Sequence, residues 1–262
     1  MRFFTICLCS LLLPLSVPAD DFGLSEKSTG LEIVSAAKAK DTGWQDQQVD
    51  GQMVISRGRL WKREFSAKLL EDPIGGDKSV VVINYPPDQR GTVLLVHVNP
   101  GPDDNNLWIY IPEQRRVRRI ADAARTSAFV SSHFANEDFT PLEVADFNYE
   151  RLPDEVFAGE TCFAVAAYPV DQFAGYSKLV VLFDQVELRI FQVRFFNREN
   201  QHIKTLIMEN FQQYAGKFWR PSRVIMTEEQ TGETTEILWN NYRFGVGLTE
   251  KDFQSTAMER HR

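Results

Sequence analysis

The side chains that could bind a metal ion or catalyse a reaction are sparse in this chain of 262 residues. Its four histidines are His97, His133, His202 and His261. None of them has the spacing of a zinc motif, and no paired CxxC sequence occurs. His133 precedes Glu137 and Asp138, so these three side chains could form a local cluster of nitrogen and oxygen ligands. Such side chains are more often solvated loop residues, and we predict neither a bound metal ion nor a cofactor.

Nucleophilic catalysis finds equally little support in the sequence. Ser131 and Ser132 stand next to His133, but the fold, and not adjacency in sequence, brings a catalytic triad together. The Gly-Gly-Asp sequence at residues 75–77 lacks the length and the lysine of a phosphate-binding loop and is typical of a turn. Cys162 lies in an apolar run, which indicates a buried, unreactive thiol. We therefore predict a protein that is not an enzyme, and the alternative of an enzyme acting on lipids or envelope polymers stays open at His133.

The first 19 residues have the pattern of a cleaved secretory signal. Arg2 supplies a positive charge, residues 3–15 are mostly apolar, and residues 17–19 offer a signal peptidase site before two aspartates. Two cysteines lie within the apolar stretch but lack the sequence pattern of a lipoprotein cleavage site, so we expect no lipid anchor. We therefore predict that residues 1–19 are a signal peptide that is removed.

Removal of the signal would leave Cys162 as the single cysteine, which excludes an internal disulfide bond. The fold must then be stabilised by burial of apolar side chains. Residues 20–262 contain no sequence repeat, no low-complexity tract and no Pro/Ser-rich linker. We expect them to form a single domain.

A basic run raises the question of a polyanionic partner. Its four arginines are Arg115, Arg116, Arg118 and Arg119. The whole chain carries 29 basic and 36 acidic side chains and a net charge of −7, whereas non-specific nucleic-acid binding usually requires a net basic domain. We therefore exclude nucleic acid as a partner.

The same run is typical of the tip and returning strand of a β-hairpin. An apolar strand at residues 107–111 precedes it, followed by turn residues at 112–115. In an extended strand Arg116 and Arg118 point to one face and Arg119 to the other, so the arginines do not form one flat patch. They could pair with acidic neighbours, namely Glu113, Asp122, Glu137 or Asp138. Alternatively the tip faces a phospholipid headgroup or an acidic partner surface.

The elements that must position these residues are mostly strands. One helix is expected to begin at Ser28 or Thr29 and to end near residues 42–43. Beyond it the apolar side chains alternate with a period of two, as in an antiparallel sheet with one solvated face. The predicted strands lie at 52–57, 60–70, 79–85, 92–98, 107–111, 116–120, 143–150, 160–168, 178–184, 187–197, 202–212, 218–228 and 233–243. Residues 121–134 fit a short helix or loop packed across the mouth of the sheet.

The apolar faces of these strands exceed what two short helices can cover. Trp61 and Phe65 share a face in one strand, Val96 belongs to another, and Phe191, Val193 and Phe195 align in a third. Such a sheet must close on itself, pack on a second sheet or bind an apolar ligand. The periodicity of the apolar residues does not distinguish a core fully packed with side chains from a core that contains a ligand cavity.

The sequence between residues 107 and 139 resembles the signature of LolA-like outer-membrane lipoprotein-sorting proteins. The resemblance rests on the strand LWIYIP, the following RRVRRI, and the closing Glu137-Asp138-Phe139. It extends more loosely through Trp219-Arg220-Pro221 and residues 244–253. The family commonly carries Met-Gly-Ser-Asp where this chain has Val-Ser-Ser-His at 130–133. An uncharacterised exported branch of the family is often found beside lipid exporters of the RND superfamily.

The resemblance implies a mainly β (α+β) fold: one strongly curved antiparallel sheet of about 11–12 strands that forms an unclosed β-barrel, with helices covering an apolar cavity. It also implies a soluble periplasmic protein that binds a lipid or a lipoprotein acyl chain and moves it between the inner and outer membranes. The candidate cavity residues are Trp61, Phe65, Val96, Phe191, Val193 and Phe195. The alternative is an exported binding module that docks an inner-membrane RND exporter through Arg115, Arg116, Arg118 and Arg119 and carries no lipid itself.

Overall fold

The computed structural model describes residues 22–99, 105–121, 124–140 and 143–260. The predicted signal peptide at residues 1–19 lies outside the described residues. Within the described part of the chain, no helix combines the length and the apolar character that crossing a membrane requires.

The predicted N-terminal helix is confirmed as α1, Gly30–Lys40. It begins at Thr29 because that side chain accepts a hydrogen bond from the Glu32 N–H at 3.2 Å, while the Glu32 carboxylate accepts one from the Thr29 N–H at 2.7 Å. At the other end the Asp41 N–H donates to carbonyl oxygens in the last turn. The short 3-10 helices are Pro112–Gln114, Phe129–Ser131, Asn136–Phe139, Val144–Asp146, Glu250–Phe253 and Ser255–Arg260.

All the strands belong to one antiparallel sheet. They are β1 Asp46–Arg57, β2 Arg59–Leu70, β3 Lys78–Tyr85, β4 Val93–His97, β5 Asn106–Ile111, β6 Arg116–Arg119, β7 Phe147–Phe157, β8 Glu160–Pro169, β9 Lys178–Asp184, β10 Ile190–Phe196, β11 His202–Tyr214, β12 Phe218–Glu228 and β13 Thr234–Phe244. Their order in the sheet is β6-β5-β4-β3-β2-β1-β13-β12-β11-β10-β9-β8-β7. The mainly β prediction is therefore confirmed, with 13 strands in place of the expected 11–12. The sheet is not closed, since β6 and β7 are its two edges.

A single lysine on α1 shows that the sheet is strongly curved. The Lys38 Nζ lies 3.5 Å from an Asp77 carboxylate oxygen and 3.2 Å from a Glu143 carboxylate oxygen. Asp77 directly precedes β3 and Glu143 lies shortly before β7, which is nine strands away in the sheet. In a flat sheet nine strand spacings would span roughly 43 Å. One ammonium group can contact both carboxylates only because the sheet curls and brings its two halves together.

The two faces of the sheet are covered differently. The inner face forms one apolar cluster that includes Ile33 of α1, Phe65 of β2 and Val165 of β8. On the outer face of β3–β5, a smaller cluster packs under Phe253 and Met258 of the C-terminal 3-10 helices. Strands β3 and β4 are therefore buried on both faces, which explains why their sequences are continuously apolar and do not alternate.

We expect the substitution Gly51→Ala to destabilise the central strands by about 1–3 kcal/mol, because it would overpack the inner face. Gly51 of β1 is paired with Phe65 of β2, and a Cβ atom at residue 51 would lie 2.4 Å from the Phe65 ring. That ring also packs edge-on against Trp239, with the ring centroids 5.1 Å apart. Urea denaturation would measure the loss. The penalty should shrink in a Phe65→Leu background, and an equal penalty in both backgrounds would contradict this packing argument.

Candidate functional site

One large cavity lies between the inner face of the sheet and two loop segments. This first cavity has a volume of about 1010 Å³. Leu179, Val193 and Phe195 form its floor on β9 and β10, while the segment 124–140 and the loop 170–174 form its sides. Its polar rim contains the carboxylates Glu137, Asp138, Asp146 and Asp171. An apolar floor with a few polar groups at the rim is the usual composition of a ligand-binding pocket.

A second cavity of about 800 Å³ lies under α1. Val34 and Ala37 of the helix face the apolar side chains of β8, β9 and β11, among them Val165 and Phe183. The two cavities adjoin each other, since seven residues line both: Asp138, Thr140, Phe147, Leu179, Ile190, Val193 and Met208. Together they form a long, largely apolar space along the inner face of the curved sheet, partly open to solvent.

The segment 124–140 is fixed to the sheet by a buried ion pair. The Lys204 Nζ of β11 lies 2.6 Å from the Asp138 Oδ2, and these side chains are only 10% and 4% exposed. Asp138 also accepts hydrogen bonds from the Tyr176 hydroxyl at 2.8 Å and from the Ala135 N–H at 2.7 Å. Burial and the nearby Asp138 carboxylate raise the pKa of Tyr176, so this hydroxyl stays protonated and donates. The described segment contains turns and the 3-10 helices Phe129–Ser131 and Asn136–Phe139. The sequence predicted either a short helix or a loop at residues 121–134.

Glu137 is held in an unfavourable position for a charged group. Burial raises the pKa of its carboxyl group, and the neighbouring Asp138 carboxylate raises it further. The Gly175 N–H donates to its Oε2 at 3.4 Å, whereas its Oε1 is buried and accepts no hydrogen bond from the described residues. Folding therefore favours the protonated form of this side chain.

We expect Glu137→Gln to be more stable than the parent protein at neutral pH, with the difference disappearing as the pH falls below about 4. A carboxyl group whose pKa is raised on folding binds more protons in the folded state. It therefore lowers stability as the pH rises from the unfolded-state pKa through the folded-state pKa. Urea denaturation between pH 4 and 8 would measure this, with Glu113→Gln at an exposed site as the control. Identical pH profiles for Glu137→Gln and the parent would contradict the assignment.

Two of the six predicted cavity residues line the cavities. Val193 borders both cavities and Phe195 borders the first. Phe65 and Val96 belong to the same inner apolar cluster but are packed within the protein interior and line neither cavity. The interior is thus filled with side chains in one part and hollow in another.

The other two predicted residues do not face the cavity. Trp61 lies on the expected face of β2, but β3 pairs with β2 only from Glu64 onward, so Trp61 is 39% exposed and stacks under the Arg59 guanidinium. Phe191 was expected to align with Val193. A β-bulge after Ile190 reverses the alternation and places Phe191 in a separate cluster on the outer face. The positions of Trp61 and Phe191 both follow from how the strands pair, and the periodicity of the sequence carries no information about strand pairing.

The four arginines occupy the hairpin that was predicted for them. Arg115 is in the turn with a left-handed backbone, and Arg116, Arg118 and Arg119 lie on the edge strand β6. All four are exposed and form no ion pair with the described residues. The suggested pairing with Glu137 or Asp138 is wrong, because those carboxylates face the interior. Asp122, another suggested partner, lies outside the described residues.

The cluster of His133 with Glu137 and Asp138 that the sequence left possible does not form. The His133 ring is buried against Thr235 of β13, and the carboxylates that approach it are Glu228 and Glu233. Sequence reasoning also missed the cavity residues Phe147, Leu179, Ile190 and Met208. The alternation of β9 places Leu179 on the inner face, but it gives no signal of which inner positions lack a packing partner.

The comparisons with known proteins agree with this architecture. A family model described as “Uncharacterized protein” matches residues 75–260. A solved structure described as an outer membrane lipoprotein-sorting protein domain from Vibrio parahaemolyticus is 34% identical, with a TM-score of 0.85 over 88% of this chain and 98% of that chain. A DUF1329 family protein from Desulfovibrio piger is 25% identical, with a TM-score of 0.83 over 87% of this chain and 97% of that chain.

A LolA superfamily protein from Nitrosomonas europaea has the same fold, with 21% identity and a TM-score of 0.69 over 87% of this chain and 98% of that chain. The search of curated proteins gave no significant match. The region that the family model matches, residues 75–260, includes the segment 124–140 and every strand from β3 to β13. By sequence identity and by fold, the chain belongs to the LolA-like family of outer-membrane lipoprotein-sorting proteins.

Proposed function

We propose that this protein is a carrier that holds the acyl chain of a lipid or lipoprotein in its contiguous inner cavity and acts by binding, without catalysis. The observation that carries this proposal is the long apolar space along the inner face of the sheet, bounded by α1 and by the segment 124–140. The family membership supports the same class of ligand.

The energetics of acyl chains favour a sheltered site of this kind. Exposure of a chain to water costs roughly 0.8 kcal/mol for each CH₂ group, so a 16-carbon chain gains roughly 13 kcal/mol in gross transfer free energy on entering an apolar cavity. The combined cavities exceed the 300–1,000 Å³ typical of small-molecule pockets, which suits a long ligand. Such binding needs no reactive group, and release requires movement of the covering segments or transfer to a partner.

We place this activity in the periplasm, between the inner and outer membranes. The predicted signal peptide at residues 1–19 supports export, and the V. parahaemolyticus relative is described as an outer membrane lipoprotein-sorting protein domain. We expect residues 20–262 to act there without a lipid anchor. N-terminal sequencing of the protein purified from an exporting host would test the expected cleavage after Ala19.

Native mass spectrometry would test the carrier proposal directly. The protein purified from the periplasm of an exporting host should carry an additional mass that organic extraction releases as a lipid or an acylated peptide. A protein stripped of ligand should regain one equivalent of fatty acid or phospholipid when mixed with it. The absence of bound lipid before and after this addition would overturn the proposal.

We propose in addition that the edge strand β6 contacts an anionic surface, either lipid headgroups or an acidic face of an inner-membrane RND exporter. The observation that favours this role is the exposure of four arginines that have no ion-pair partner among the described residues. None of the four arginines lines either described cavity, so docking and lipid binding would be independent functions of the molecule.

Reversing the four arginines to glutamate is expected to abolish binding to anionic vesicles and to the exporter, while lipid occupancy stays unchanged. Loss of electrostatic attraction accounts for the first result, and distance from the cavity accounts for the second. Vesicle co-sedimentation and native mass spectrometry would measure the two effects. A matched control reverses four scattered exposed cations: Lys27, Lys62, Arg90 and Lys251. Equal loss of binding in the control would show that net charge, and not this edge, is responsible.

A further inference from the structure

We propose that His133, Glu228 and Glu233 bind one divalent transition-metal ion, with Zn²⁺ the best match to this donor set, and that the ion fastens the segment 124–140 to the β12–β13 hairpin. One imidazole and two carboxylates are ordinary zinc ligands and leave a fourth position for water. This site lies apart from the lipid cavity, and the proposal does not depend on the carrier function.

The hairpin brings the two carboxylates together. Glu228 is the last residue of β12, and Glu233 directly precedes β13. The Glu228 N–H donates to the Glu233 carbonyl oxygen at 2.9 Å, which closes the turn. One oxygen or nitrogen atom from each of the three side chains lies within 4.8 Å of the others. Three potential ligands from two separate parts of the chain therefore converge on one point.

The His133 ring is aimed at this point and has a nitrogen without a partner. Its side chain is 3% exposed, and its Nδ1 lies 2.8 Å from the Thr235 Oγ1, which also accepts the His133 backbone N–H at 3.1 Å. Its Nε2 is buried and makes no hydrogen bond with the described residues, although the Glu233 Oε2 lies 3.5 Å away. That distance is too long for a hydrogen bond.

One of the two tautomers that these contacts allow prepares Nε2 for a cation. When Nδ1–H donates to the Thr235 hydroxyl, the Nε2 lone pair is directed toward the Glu233 carboxylate. Two electron-rich atoms then face each other in a buried site, which is unfavourable unless a cation lies between them. A hydrogen bond from the second ring nitrogen is also the usual arrangement that orients a metal-binding histidine.

The surrounding charges leave the carboxylates able to bind an ion. The Arg57 Nε lies 3.4 Å from the Glu233 Oε2, and the Thr231 hydroxyl donates to the Glu228 Oε2 at 3.1 Å. Arg57 contacts the same Glu233 oxygen that faces the His133 ring, and each carboxylate keeps its second oxygen for an ion. Lys204 contacts the His133 carbonyl oxygen, but its charge is balanced by Asp138 at 2.6 Å. With neutral imidazole, the three ligands carry a charge of −2, which a divalent ion would neutralise.

The ion would connect the hairpin to a wall of the cavity. His133 is adjacent to Phe134, which lines the first cavity. The segment 124–140 is attached to β11 through Asp138 and to β13 through the contacts of His133 with Thr235, and the metal would add a further attachment through the His133 ring. Binding of the ion should therefore slow amide hydrogen exchange in this segment.

Isothermal titration with Zn²⁺ would test the proposal on the whole protein after removal of metal with a chelator. We expect one equivalent of Zn²⁺ to bind to the parent protein. Glu228→Gln and His133→Gln should each weaken binding by at least about tenfold, the lower end of the effect seen when a residue behind a ligand is lost. Glu229→Gln is the matched control, because it removes the same charge from the next residue, which pairs with His202.

Glu228→Gln is the decisive variant, because Glu228 is only partly buried and circular dichroism can verify that the variant folds. Failure of the parent protein to bind Zn²⁺, Co²⁺ or Mn²⁺ would overturn the proposal. So would unchanged Zn²⁺ affinity in folded Glu228→Gln, or an equal loss in Glu229→Gln. Retained lipid binding by Glu228→Gln would show that this site and the carrier cavity are separate.

Discussion

Replacing Asp138 with alanine is expected to lower the free energy of unfolding by about 3–5 kcal/mol. The change leaves the Lys204 ammonium group in a buried position without its counter-ion at 2.6 Å. It also removes the acceptor for the Tyr176 hydroxyl and for the Ala135 N–H. Stability falls because a buried charge and two buried donors lose their partner at the same time.

Urea denaturation of Asp138→Ala, Lys204→Met and the double variant would measure this coupling. The double variant should be more stable than Asp138→Ala alone, since removing both charges avoids an isolated buried ion. Glu209→Ala is the matched control, because Glu209 pairs with Arg223 at the surface, where the side chains are 38% and 35% exposed. That substitution should cost about 0–1 kcal/mol.

An equally small effect of Asp138→Ala would show that the segment 124–140 is not fixed through this pair. Hydrogen exchange gives an independent measure of the same attachment. In Asp138→Ala the amides of this segment should exchange faster, while those of the C-terminal 3-10 helices, which pack on the outer face of β3–β5, should change little. Uniformly faster exchange throughout the protein would contradict a local role for the pair.

Replacing Val193 with tryptophan is expected to weaken lipid binding about 50-fold while the protein remains folded. Val193 lines both cavities, so a larger side chain there would project into the space they share. Displacing about three methylene groups of a ligand would cost about 2.4 kcal/mol, which corresponds to about 50-fold in affinity. Displacement of a fluorescent fatty acid would measure the change in affinity, and circular dichroism would verify folding.

Val156→Trp supplies the matched control for this experiment. Val156 lies on β7 and is 74% exposed, so the same substitution there should leave lipid affinity unchanged. Unchanged binding by folded Val193→Trp would show that the acyl chain does not occupy the contiguous cavity. Loss of binding in both variants would point to a general effect on the fold.

Much of the strand pattern could be predicted from the sequence because alternation is a local property. The continuous apolar runs of β3 and β4 and the alternation in β2 identify strands without knowledge of their partners. The N-terminal helix was also predictable, since Thr29 and Glu32 form its capping box within four residues of sequence. The thirteen ranges predicted from periodicity agree in number with the strands of the described sheet, and the figure of 11–12 came from the family resemblance. Exact bounds depended on pairing: the strand expected at 143–150 is β7, Phe147–Phe157.

The candidate site was less predictable because pairing and bulges decide where each side chain points. Phe191 and Val193 are two positions apart and would share a face in a regular strand, yet one bulge places them on opposite faces of the sheet. His133 is close to Glu137 in sequence, but its ring meets Glu233 from a hairpin 100 residues away. Local spacing could identify His133 and Glu137 as candidate polar site residues. It could not identify which residues they contact.

The β-rich class, the helix start and, through residues 107–139, the family resemblance could be inferred from the amino-acid sequence. These properties depend on composition and short-range periodicity. Which apolar faces are hollow, and which arginines have no ion-pair partner among the described residues, became known from the folded chain. The reason is physical: a cavity, an ion pair and a ligand cluster are each formed by strands far apart in sequence, and their positions follow from the curvature and register of the whole sheet.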